Sequence, residues 1–181
     1  MKKAVLFLAP GFEEIEALAT VDILRRGGIE VTTVSISSDP FVCGVHGIEV
    51  TTDAVDEYPI DSQDAVILPG GMPGAENLSK SSIVIQTIKK FYQENKIVAA
   101  ICAAPFVLGK ADILKGKNVT CYPGFQDKLN GATYLDKRVV TDNNIITACG
   151  PSATIEFALE LLKKLTDSVT ADSVAKAMLI K

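Results

Sequence analysis

Apolar residues gather along this chain in short, nearly continuous runs, and between the runs they recur at the spacing of a helix face. The continuous runs fall at residues 3–9, 30–36, 65–69, 97–101, 118–122 and 145–148. Their length and their valine and isoleucine content predict strands buried on both faces. Helical spacing falls at 13–26, 82–94, 105–108 and 152–165, with a last segment at 172–178. Strands alternating with helices predict an α/β fold: a mostly parallel sheet, helices on both faces and right-handed crossovers. Residues 45–51 and 138–148 read instead as short hairpins, the second turning at Asp142-Asn143-Asn144. The 181 residues suit one domain over 1–181, with no linker, internal repeat or low-complexity stretch.

In an open parallel sheet, ligands sit beyond the carboxyl ends of the strands. The residues leaving those ends here are Pro10-Gly11, Gly70-Gly71, Cys102-Ala103 and Cys149-Gly150-Pro151. Neither GxGxxG nor GxxxxGK[ST] occurs, so no dinucleotide or nucleoside triphosphate is signalled. Cys102 stands out among them. It follows the strand-like Ile97-Val98-Ala99-Ala100-Ile101 and precedes Ala103-Ala104-Pro105, where a helix opens with proline in its first turn. A thiol at a strand-to-helix turn between small residues is the arrangement of a nucleophile elbow. Amides at the helix start are expected to favour the thiolate and to bind an oxyanion. A buried structural cysteine fits the same local pattern, because cysteine packs as a small hydrophobe.

Projected at 100° per residue, the first helix sets Glu14, Asp22, Arg25 and Arg26 on a polar face and Ala17, Ala19, Thr20, Ile23 and Leu24 against the sheet. Glu16 falls in the middle of the sheet-facing side. A carboxylate there is costly unless hydrogen-bonded or protonated. An acidic first turn suits the helix dipole, which accounts for Glu13 and Glu14 better than for Glu16. We therefore take Glu16 as a functional acid near Cys102. His46, in Cys43-Gly44-Val45-His46-Gly47, reads as a surface loop histidine, and Cys43, Cys121 and Cys149 as packing residues.

Composition narrows the classes of function. Hydrophobic residues make up 48% and charged residues 22%, ordinary values for a folded protein. A net charge of −4 without a Lys/Arg patch argues against nucleic acid as the main partner. Met1-Lys2-Lys3 and the apolar run after it superficially resemble a signal peptide, but a first strand is the better reading. No stretch approaches the ~18 apolar residues of a membrane span. Four scattered cysteines, no CxxC and one histidine disfavour zinc and a disulfide framework. The expected setting is the reducing cytoplasm.

Together, Glu13-Glu14-Ile15-Glu16, Leu68-Pro69-Gly70-Gly71, Ala99-Ala100-Ile101-Cys102-Ala103 and Gly150-Pro151 resemble the ThiJ/PfpI family, in particular the branch of the parkinsonism-associated protein deglycase and its bacterial relatives. The resemblance covers essentially the whole chain. It implies a flavodoxin-like three-layer sandwich, a homodimer, and Cys102 as reactive thiol with Glu16 as its carboxylate partner. It implies further that the amides of Gly71 and Ala103 surround the sulfur, with Gly70, Tyr122, Gly150 and Pro151 lining the site. The implied activity is cofactor-free glyoxalase or deglycase chemistry on methylglyoxal-type dicarbonyls or their early adducts, with no metal. Other roles carried by the family are redox sensing with chaperone function and a thiazole-monophosphate label, for which no phosphate loop is present here. Two departures matter. Ala103 stands where the protease-like branch has histidine, which argues against peptidase activity. Tyr122 stands where other members place a histidine, which leaves Glu16 to move protons alone; Ser152 for glycine is a minor third difference.

Overall fold

The computed structural model describes residues 1–180. Six strands form the central sheet: β1 (Lys3–Leu8), β2 (Glu30–Ser35), β5 (Ala65–Leu68), β6 (Ile97–Ile101), β9 (Val139–Asp142) and β10 (Ile145–Ala148). Their order is β2-β1-β5-β6-β10-β9, and every pairing is parallel except that of edge strand β9 with β10. The central strands are buried, apart from a partly exposed Ile97 at the start of β6, as their unbroken apolar sequences require, because helices cover both faces. α1 (Glu14–Arg26) and α5 (Thr154–Leu165) pack together, with α6 (Ser168–Ala177) beside α5. α2 (Gly74–Lys80), α3 (Ser82–Gln93) and α4 (Pro105–Lys110) form a second packed group. The α/β architecture expected from the periodicity is the one observed, and it is the flavodoxin-like sandwich that the resemblance implied. No helix among the described residues is long and apolar enough to cross a membrane.

Several elements differ from expectation. The strand expected over 118–122 shrinks to β7 (Asn118–Val119), which pairs with β8 (Thr133–Tyr134) outside the main sheet. The sheet edge it would have joined is already taken by β9, through the hairpin expected over 138–148. The rest of the segment crosses the carboxyl end of the sheet: Thr120 N–H donates to Thr147 Oγ1 (2.9 Å) and Tyr122 N–H to Cys102 O (2.7 Å). The other hairpin pairs β3 (Phe41–Cys43) with β4 (Glu49–Thr51). Helix α2, only 7 residues long, is too short for helical spacing to mark it in the sequence. Glycine is required at its start: a Cβ on Gly74 would lie 2.6 Å from Gly11 O.

Candidate active site

Strand order reverses between β1 and β5, and a ligand crevice is expected at such a switch point. α1 leaves β1 there, Gly70 and Gly71 leave β5, and Cys102 leaves neighbouring β6. Cys102 has φ +64°, the left-handed conformation of a strained elbow, which non-glycine residues adopt at a cost. Its N–H donates to Ala148 O (2.9 Å) at the end of β10. The residue is buried, 8% exposed.

Glu16 is buried, as its place on the sheet-facing side predicted. Oε2 accepts a hydrogen bond from Gly70 N–H (2.7 Å), while Oε1 is buried without a well-aligned partner. The Cys102 thiol lies beside this carboxyl. A Cβ on Gly70 would come within 2.7 Å of both Cys102 Cβ and Glu16 Oε2, so glycine is what lets the two side chains close on each other. Burial pushes Glu16 up to about 7 from an ordinary 4.5; the thiol and the Gly70 amide act against this, and the charge on Glu13 adds to it.

Cys102 requires a correction. Burial, and then the charge of Glu16, push the thiol above its ordinary range, whereas the elbow suggested an acidic thiol. The amides of Ala103 and Gly71 act in the opposite direction, as expected. They come from the elbow itself and from the end of β5, not from a long helix: α4 has only 6 residues. The pair is coupled. A proton on Glu16 removes the repelling charge and supplies a donor, so thiolate is favoured in the state where Glu16 is neutral.

The remaining site residues converge on the same end of the sheet. The Tyr122 main chain binds Cys102, and its ring covers Gly150, where a Cβ would approach Tyr122 Cδ2 to 3.2 Å. Pro151 opens the short 3-10 turn Pro151–Ala153 that leads into α5. Two surface clefts of about 650 Å³ lie elsewhere, one lined by Tyr92, Lys117 and Lys164, the other by Pro10, Asn77 and Ser82. Neither includes Cys102 or Glu16, so chemistry rather than volume marks the site.

Glu14 is not on the polar face with Asp22, Arg25 and Arg26; it is buried under the loop between β3 and β4. Its Oε1 accepts from His46 N–H (2.8 Å), and its Oε2 lies 2.8 Å from His46 Nδ1. Burial works against the charged form, but the bonds from His46 and Ile48 hold Glu14 below the usual range, and the Glu14 carboxylate in turn raises His46. His46 itself is exposed, as expected of a loop histidine. Glu13, Glu14 and His46 are the only group of potential metal ligands among the described residues, their ligand atoms within 4.8 Å of one another. No sequence signal joined them, because their meeting depends on how the β3–β4 loop lies over the start of α1.

An α/β sheet with a strained cysteine elbow and a buried glutamate at its switch point defines a family. The chain belongs to the DJ-1/PfpI family, whose sequence profile matches residues 2–164. It is 37% identical over 182 residues to Protein dj-1beta of Drosophila melanogaster, covering 99% of this chain and 97% of that protein. It is 36% identical over 186 residues to the Parkinson disease protein 7 homolog of Danio rerio, covering 99% and 98%. The crystal structure of Drosophila DJ-1beta superposes with a TM-score of 0.96, covering 99% of this chain and 98% of that one at 37% identity. Oxidized Toxoplasma gondii DJ-1 gives 0.95, covering 99% and 98% at 35% identity.

Proposed function

We propose that the protein is a cofactor-independent, cysteine-dependent enzyme acting on methylglyoxal-type dicarbonyls or their early glycation adducts. The observation that carries this reading is the buried Glu16 carboxyl, raised to about 7, beside the Cys102 thiol. A group with that pKa gives and takes protons near neutrality, which is what such a reaction needs. The Cys102 sulfur adds to the aldehyde carbon, forming a C–S bond, and the carbonyl oxygen takes the proton of Glu16. Glu16 carboxylate then removes the hydrogen on that carbon and returns a proton to the neighbouring carbon, while the proton of the new hydroxyl moves to the neighbouring oxygen, leaving a thioester that carries a hydroxyl beside it. Water cleaves the thioester to a hydroxy acid and frees the thiol. The amides of Gly71 and Ala103 supply donors for developing negative charge. With a hemiaminal adduct, the sulfur displaces the amine: the C–N bond breaks as the C–S bond forms, and Glu16 gives its proton to the departing nitrogen. The low exposure of Cys102 suits a small aldehyde and not a peptide.

A second reading, redox sensing, is favoured by the same pair. Peroxide is small enough to reach the sulfur, and a protonated Glu16 donates to the sulfinic product. A Toxoplasma gondii relative has been solved oxidized, which supports this reading for the family. A homodimer is supported by exposed Ile15 and Leu18 on α1 and by Phe41, Val45 and Ile48 on the adjoining hairpin, apolar side chains that a second copy would cover. The deciding experiment follows methylglyoxal consumption by purified wild type and Cys102→Ala. Turnover abolished in the variant fits the enzyme; no turnover in wild type, with Cys102 selectively oxidised by mild peroxide, leaves the sensor.

A further inference from the structure

The start of α1 buries acid without a matching base. The side chains of Glu13 and Glu14 are only 9% and 5% exposed, and Glu16 is buried on the same turn. Among the described residues, no lysine or arginine forms an ion pair with any of the three. Carboxylates taken out of water need a positive partner or full hydrogen bonding. The α1 dipole supplies only about half a unit of positive charge against them. Glu14 is well bonded: Oε1 accepts from His46 N–H (2.8 Å) and from Ile48 N–H (3.4 Å). Glu13 is not. Its Oε2 caps α1 by accepting from Glu16 N–H (2.8 Å), but Oε1 accepts no hydrogen bond among the described residues and faces His46 Nδ1 at 3.9 Å, too far for one.

We propose that Glu13, Glu14 and His46 form a binding site for one divalent transition-metal cation such as zinc, held by Glu13 Oε1, Glu14 Oε2 and His46 Nδ1 and completed by water. The three ligand atoms lie within 4.8 Å of one another. Nδ1 is 2.8 Å from Glu14 Oε2 and 3.9 Å from Glu13 Oε1. A cation about 2.1 Å from each ligand sets them roughly 3.0–3.4 Å apart, which those two distances bracket. The small adjustment falls to His46, whose side chain is 68% exposed and can turn. The two carboxylates are fixed, Glu13 by the cap and Glu14 by the loop amides. Gly44 lets the β3–β4 loop lie this close, because a Cβ there would collide with Glu14 Oε1.

The cation replaces the hydrogen between His46 Nδ1 and Glu14 Oε2, and the imidazole keeps its hydrogen on Nε2. One imidazole with two carboxylates suits zinc and its neighbours better than calcium or magnesium, which favour all-oxygen sites. The bound cation pins the β3–β4 loop to α1 and gives the buried acids the positive charge they lack. No thiol takes part, and the site goes beyond the reading of Cys102 and Glu16 as the reacting pair without depending on it.

The test is calorimetric titration of metal-stripped protein with Zn2+ alone. Wild type, Cys43→Ser and Cys102→Ser should each bind one equivalent, whereas His46→Ala and Glu14→Gln should bind it more than about tenfold more weakly. About a tenfold excess of Mg2+ should not displace the zinc. In urea, zinc should raise the unfolding midpoint of wild type and leave that of His46→Ala where it is. Wild type that takes up no stoichiometric zinc, or equal affinity in His46→Ala, overturns the proposal. So does displacement by magnesium, or loss of binding in either serine variant, which would put the zinc on a thiol. If Glu14→Gln does not fold, His46→Ala, at an exposed position, decides. Zinc affinity is read without any dicarbonyl, so an absence of turnover would count against the enzyme reading and leave this result standing.

Discussion

Glu16 stays protonated in the folded protein to about pH 7, whereas its ordinary value is 4.5. Between those two pH values the unfolded chain has lost a proton that the folded chain still holds. Stability from this group is fully present below pH 4.5, falls as pH rises toward 7 and is flat above, a loss on the order of 3 kcal/mol. Glu16→Gln has no such proton. In urea unfolding it should therefore gain on wild type between pH 4.5 and pH 8 by that order, while losing most dicarbonyl turnover. A wild-type-minus-variant difference that is constant with pH would show that Glu16 titrates as an ordinary surface acid. Tyr122 makes a contrasting case. It is 46% exposed, and its bond to Cys102 is made by the main chain, so Tyr122→Phe should cost less than about tenfold in kcat/KM. A loss of ~10³-fold would give its hydroxyl a proton-transfer role and end the account in which Glu16 acts alone.

Where α1 docks on the end of β5, Gly71 has φ +86°, and a Cβ there would lie 2.5 Å from both Glu13 N and Gly11 O. Those atoms are backbone and cannot swing aside. Gly71→Ala should destabilise the protein by more than about 2 kcal/mol and slow Cys102 alkylation, because the Gly71 amide leaves the sulfur. An unfolding midpoint and alkylation rate equal to wild type would mean that the two elements are not clamped together. At this scale the sequence was legible wherever one segment sufficed. The helix over 13–26, the strands around Val66 and Ala99 and the elbow at Cys102 follow from local spacing. Helix α2 and the short β7 were not legible, since one is too short for helical spacing to mark it and the other depends on which sheet edge is free.

Across the molecule, the exposed apolar side chains Ile15, Leu18, Phe41, Val45 and Ile48 fall on α1 and the β3–β4 hairpin, which meet through Glu14 and His46. Sedimentation should give twice the chain mass, and Ile15→Asp with Ile48→Asp should shift it to the chain mass with unchanged circular dichroism. A monomeric wild type would show that this face is simply tolerated in water. The sequence by itself determined the layered α/β plan, the elbow and the misplaced carboxylate, because hydrophobic period and turn chemistry are properties of neighbouring residues. Only the tertiary structure decided the charge states. Whether Cys102 is acidic, whether Glu14 is solvated and what His46 touches depend on burial and on partners from β5, β6 and the β3–β4 loop, and desolvation and Coulomb energies are set by distance in space, which the order of residues along the chain does not contain.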